Sequence, residues 1–178
     1  MLTNLVLVEI DPVARRSLEA WAYEREGSHP PESNVNKWHG NASDLPHGVA
    51  QHLSGLRGEY AVAKASRADW EPVLKGELPA WDLVLSDGRK AQVKNNYYAP
   101  WGRFACGAKK DFLEPADVGV ATMEMRIHDP GKIGIVGWIS AQEFRSLHHP
   151  WDFHNLDPPR TQPAVHFRQM KPFSTLFG

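Results

Sequence analysis

The tetrapeptide Ser86-Asp87-Gly88-Arg89, set between the runs Trp81–Leu85 and Lys90–Lys94, constrains this chain more than any other feature, because it commits the surrounding residues to a β-hairpin. Two registers are open. A two-residue Asp87-Gly88 turn would set Leu83 opposite Gln92 and Asp82 opposite Val93, mixing polar and apolar side chains on both faces. A three-residue loop, Ser86-Asp87-Gly88 with Gly88 left-handed at a bulge, pairs Trp81 with Val93, Leu83 with Ala91 and Leu85 with Arg89 on one face. Asp82 with Gln92 and Val84 with Lys90 then share the other. A one-residue slip turns every side chain over, so the patterning selects the second register. Its consequence is that Asp82, Gln92 and Lys94 collect on one side of the hairpin.

Upstream, Val49, Leu53, Leu56, Tyr60 and Ala63 are spaced alternately by four and three, which makes one apolar stripe of an amphipathic helix. At about 100° per residue they fall within an arc of about 80°, and Glu59 lies about 40° beyond its edge. Glu59, beside Gly58, is thus a carboxylate at the border of a packed face, a place suited to a site residue and equally ordinary for a solvated charge. Asn4–Ile10 is a short β-rich run. Asp11-Pro12 reads as a helix N-cap and first helical position, opening a helix through Arg15, Leu18 and Trp21 to Arg25, closed by Gly27. Residues 28–46 have no period and read as a long surface connection. Val118–Met125 and Ile133–Ile139 are strands joined by the turn His128-Asp129-Pro130-Gly131, and Ser140-Ala141-Gln142-Glu143 is a capping box opening a short helix through Phe144 and Leu147. The His-, Asp- and Pro-rich stretch 148–163 reads as irregular, with Val165–Phe167 as a last strand.

A chain of 178 residues has the length of one domain, and 42% hydrophobic against 23% charged residues excludes the disordered classes. The longest early apolar run, Leu5-Val6-Leu7-Val8, meets Glu9 and Asp11 at once, so neither a membrane span nor a signal peptide is expected. Cys106, the single cysteine, excludes an internal disulfide framework and a multi-cysteine zinc site, and points to a reducing cytoplasm. The net charge of −1 argues for no nucleic-acid partner, but its distribution does. From Arg89 to Lys110 there is no acidic residue, while Arg89, Lys90, Lys94, Arg103, Lys109 and Lys110 are cationic and Tyr97, Tyr98, Trp101 and Phe104 lie among them. Cations interleaved with aromatics suit a phosphate backbone with stacked bases, and suit equally a solvated basic loop carrying core aromatics.

The order is then a helix bearing Gly58-Glu59, a strand opening with Trp81-Asp82, a turn, Gln92-Val93-Lys94, two further strands and a helix. Over residues 49–147 this resembles the PD-(D/E)XK nuclease superfamily, with Trp81 where the family has Pro and Gln92 where it usually has Asp or Glu. Gln at that position is similar to a Q-x-K subset that includes some resolvase-like and exonuclease-like members. The resemblance implies a restriction-endonuclease-like α/β domain over residues 1–178: an N-terminal strand-helix appendage (1–42), a catalytic core (43–147) with a central mixed sheet of four or five strands and helices on both faces, and an irregular C-terminal segment (148–178). It implies Mg²⁺- or Mn²⁺-dependent hydrolysis of DNA, endo- or exonucleolytic. Asp82, Glu59 and Gln92 would supply oxygen ligands, and Lys94 would orient or help deprotonate water and stabilise developing charge.

Arg89, Lys90, Arg103, Lys109 and Lys110 are the candidate phosphate contacts, and Tyr97, Tyr98 and Trp101 the candidate stacking residues. A homodimer is open, since members of the superfamily that cut both strands often pair. By analogy of fold alone, such a nuclease would suit DNA repair, recombination, defence or a phage genome, acting in the host cytoplasm if phage-encoded. Two other classes compete. A nucleic-acid-binding module that keeps the fold without catalysis is favoured by the neutral Gln92, and a hydrolase built on His148, His149 and His154 with Asp152 and Asp157 is disfavoured by the prolines among them.

Overall fold

The computed structural model describes residues 5–27, 45–71, 81–96, 102–105, 116–125, 131–153 and 160–177. Helix α1 (Pro12–Arg25) starts as its sequence dictates: the Asp11 carboxylate accepts the N–H groups of Val13 and Ala14, and Pro12 needs no partner in the first turn. Helix α2 (His47–Ser66) buries the whole stripe Val49, Leu53, Leu56, Tyr60 and Ala63. Arg57, Glu59, Ala61 and Val62 are buried as well, because α2 is enclosed between α1 and a sheet. Tyr60 donates to Asp11 at 2.8 Å, so the cap of α1 also ties the two helices together.

That sheet has five strands in the order β1 (Val6–Glu9), β6 (Lys132–Ser140), β5 (Val118–Glu124), β3 (Lys90–Asn96) and β2 (Leu83–Val84). Among its described strands only β3 and β5 run parallel. The hairpin adopts the three-residue loop: Leu83 faces Ala91, Val84 faces Lys90, the Leu85 N–H donates to the Arg89 carbonyl, and Gly88 takes φ 86°. Trp81 departs from the expected face. Strand β2 begins only at Leu83, and the preceding indole packs on the far side of the sheet beneath the Lys90 ammonium, 4.1 Å from its ring centre.

The N-terminal strand and helix are not an appendage. Strand β1 pairs antiparallel with β6, and Ile10, Leu18, Ala22 and Tyr23 lie in one apolar cluster with α2, Val118 and Val120. The described part of the C-terminal segment is not irregular either. Helix α3 (Ala141–Leu147) opens on the expected capping box of Ser140 and Glu143. Strands β4 (Arg103–Ala105), β8 (Arg160–His166) and β7 (His149–Phe153) then form a second antiparallel sheet in the order β4-β8-β7. Pro150 pairs with Pro163 in that sheet, so residues that argue against a strand lie within two of them. The second sheet and α3 cover the face of the main sheet opposite α1 and α2 through Phe104, Phe144, Val165, Phe167 and Met170. Strand β5, covered on both sides, is buried at every residue.

Phe104 is fully buried where the two sheets meet, its ring against Gly119 and edge-on to Phe144 at 5.8 Å. Truncation of Phe104 to Ala is expected to lower the free energy of unfolding by about 3–5 kcal/mol in a urea titration. A loss below about 1 kcal/mol would show that the second sheet is not packed as described.

Candidate active site

The placement of α2 is decided at Gly58. A Cβ there would lie 2.6 Å from Thr122 Oγ1 and 3.0 Å from Asn95 Cβ, closer than side chains approach, so only glycine lets the helix settle onto β3 and β5. Polar contacts hold the approach. The Asn95 amide donates to the Ser54 carbonyl at 2.8 Å and to its hydroxyl at 3.1 Å, and its oxygen accepts from Thr122 at 3.0 Å. Beside them Arg57 and Glu124 form a buried ion pair at 3.6 Å. These groups lie on the α2 side of the sheet, and the next helical residue after Gly58 is Glu59.

On the strands, β2 ends the sheet after two residues and leaves β3 as its edge. Asp82 sits where β2 gives out. Its Oδ2 accepts the Val93 N–H at 2.7 Å and the side-chain amide of Gln92, which turns the carbonyl oxygen of Gln92 away from the contact. Lys94, two residues further along β3, shares the side of Gln92. Asp82 and Gln92 are therefore in contact at the sheet edge, Lys94 shares the face of Gln92, and Glu59 lies on the helix packed against this sheet. The charges of Asp82 and Lys94 both act on the Glu59 carboxyl.

Electrostatics distinguish this cluster from a surface ion pair. Burial, and then the neighbouring Asp82 charge, raise Glu59 from 4.5 to about 7, with Arg25 and Lys94 pulling the other way. Burial also raises Asp82 above its ordinary value, opposed by Lys94, the Val93 N–H, Gln92 and Arg25. Among the described residues the buried Oε2 atom of Glu59 has no hydrogen-bond donor. A buried carboxylate with one oxygen unsatisfied is costly as it stands. A divalent cation would offset that cost, and the oxygens of Glu59, Asp82 and Gln92 are hard donors of the kind Mg²⁺ and Mn²⁺ take. The residues present fit such an ion. Among the described residues no three His, Cys, Asp or Glu gather to hold a metal.

Arg25 was missed by sequence reasoning. Glu24 and Glu26 beside it suggest a solvated helix face, yet the last turn of α1 brings its charge to act on both carboxyls.

The candidate phosphate contacts fare differently. Arg89 is withdrawn from them: its guanidinium bonds Asp87 and the Leu176 carbonyl and lies over Trp138 and Phe177, so it clamps the C-terminal turn to the sheet. Lys90 lies over Trp81, and Arg103 is half-buried on β4. Tyr97, Tyr98, Trp101, Lys109 and Lys110 lie outside the described residues. The histidine alternative loses its first member, since His148 stacks on Phe144 at 5.5 Å and bonds the Phe144 carbonyl at the end of α3. His149 is exposed at the start of β7, while His154, Asp157 and the side chain of Asp152 lie outside the described residues.

No protein-family model matches the chain, and no curated protein matches it. Among the described residues no helix is long and apolar enough to cross a membrane.

The raised Glu59 pKa has a definite sign. Between 4.5 and about 7 the folded metal-free protein holds a proton that the unfolded chain has released, so the Glu59 contribution to stability is lost as pH rises through this window. The stability of Glu59→Gln relative to wild type is expected to rise across the window and level off above about 7, measured by urea unfolding in chelator. A difference independent of pH would remove Glu59 from the buried cluster.

Proposed function

We propose that the protein is a metal-dependent DNA nuclease with a restriction-endonuclease-like core, hydrolysing phosphodiester bonds by direct attack of water. The observation that carries this reading is that two buried carboxyls, one bonded to an amide, both feel the charge of the same lysine. Glu59 comes from the helix, Asp82 from the end of β2, and Gln92 and Lys94 from one face of β3. Hydrolysis of a phosphodiester demands an activated water, neutralisation of the negative charge on the phosphoryl oxygens and a stabilised leaving alkoxide.

Glu59, Asp82 and the Gln92 carbonyl oxygen would hold Mg²⁺ or Mn²⁺, which when bound lowers the pKa of its water and offsets phosphoryl charge. Asp82 is oriented for this role. The Val93 N–H and the Gln92 amide occupy Oδ2, and Oδ1 remains for a ligand. The Lys94 charge acts on both carboxyls, and its ammonium would orient the attacking water and stabilise negative charge developing on the phosphoryl oxygens.

Gln92 also favours a second reading, a nucleic-acid-binding module. Its side chain is neutral, and by bonding Asp82 it satisfies part of the site from within.

A panel of linear duplex, supercoiled plasmid, single-stranded DNA, a four-way junction and RNA, incubated with Mg²⁺, Mn²⁺ or chelator, separates the two. Wild type is expected to cut DNA only with metal, and Lys94→Ala and Asp82→Ala to slow cleavage by about 10²-fold or more while remaining folded. Folded wild-type protein that binds the panel and cuts nothing under any metal would overturn the nuclease and leave the binding module.

A further inference from the structure

The second sheet carries a cationic cluster that the candidate site does not use. Phe104 and Val165 face the main sheet and are buried, so their neighbours Arg103 and His166, cross-strand partners on β4 and β8, fall on the opposite, outward face. Arg168 follows two residues after His166 and is exposed.

The imidazole is held in one orientation. Its Nδ1 accepts the Arg168 N–H at 3.1 Å, and Gly102 lies flat against the ring, where a Cβ would be 3.4 Å from Cε1. The His166 N–H is in turn held by the side chain of Gln169 at 3.1 Å. With Nδ1 accepting, the proton of the neutral ring sits on Nε2, so this edge offers one fixed N–H donor between two guanidinium groups.

The geometry points to Arg103, His166 and Arg168 as a binding site for the phosphodiester backbone of DNA. The ligand class follows from the donors. Guanidinium groups match phosphate oxygens in pairs, and a neutral N–H adds a directed bond without a further charge. Burial holds the imidazole below its ordinary range, and the two charges that act on it, those of Arg168 and Arg103, are both positive. A phosphate oxygen bound there would be attracted by both.

The second sheet itself packs close to the candidate site. The Phe104 ring beside Arg103 rests on Gly119, which pairs in the parallel ladder with Gln92. One strand spacing, about 4.8 Å, thus separates the residue under β4 from a residue of the candidate site. The inference rests on the nuclease reading for its purpose and not for its test.

The test measures binding in chelator, where cleavage plays no part, using a labelled single strand and its duplex. The Arg103→Gln/Arg168→Gln double variant is expected to bind more weakly. Its plot of log K against log salt should be flatter by about 1.4 on the single strand or about 1.8 on the duplex, the value for two phosphates no longer neutralised. His166→Asn keeps an acceptor for the Arg168 N–H and loses the Nε2 donor, so it should weaken binding with the slope retained.

Unchanged affinity and slope in the double variant would overturn the proposal. So would weaker binding at an unchanged slope, because the arginines would then be acting without neutralising phosphate. Wild type that cuts DNA while the double variant binds normally would sink this site and spare the nuclease. A variant that loses binding in a protein that never cuts would do the reverse.

Discussion

Everything at the candidate site depends on how closely α2 lies on the sheet, and that closeness depends on one missing side chain. With hydrogen at Gly58, the helix rests against Asn95 and Thr122. With any larger residue the helix would have to lift, carrying Glu59 with it. The Asn95 amide then converts contact into registration, since it bonds Ser54 on the helix and Thr122 on β5 while sitting next to Lys94 on β3. A polar group bonded on two elements is satisfied at one relative position of those elements and orphaned at others. Two links therefore connect backbone geometry to chemistry: a glycine permits the approach, and an asparagine fixes it.

The price of this packing is electrostatic. Driving Glu59 into the helix-sheet interface beside Asp82 pushes its pKa to about 7, and burial raises Asp82 as well. A fold selected for stability alone would have little reason to keep two carboxyls so close with an unsatisfied oxygen between helix and sheet. Nearby cations soften the cost without removing it. Lys94 and Arg25 lower both pKa values, yet burial still dominates. Such strain is ordinary at a site that receives a cation and unusual elsewhere.

Much of this was legible in the residues, and for identifiable reasons. The hairpin register followed from alternation, because Leu83 and Ala91 are apolar and Asp82 and Gln92 polar, and period-two patterning admits a single answer when one face is buried. The caps at Asp11 and Ser140 are local chemistry and read directly. What failed depended on partners distant in the chain. Nothing in Val6–Glu9 announces that it pairs with Lys132–Ile135, so β1 read as an appendage. Pro150, Pro163 and the surrounding histidines concealed two strands whose pairing tolerates proline. Arg89 is part of a basic run in the sequence, and only the fold reveals that the C-terminal turn at Leu176 and Phe177 comes back to cover it.

The central claim is that Glu59, Asp82 and Gln92 present their oxygens to one divalent cation. A titration with Mn²⁺ followed by electron paramagnetic resonance, on wild type and on Asp82→Asn, tests it without any substrate. The account predicts a single bound-manganese population in wild type that disappears in the variant, with the fold unchanged by circular dichroism. Equal manganese binding by the two proteins would place any ion elsewhere and contradict the account.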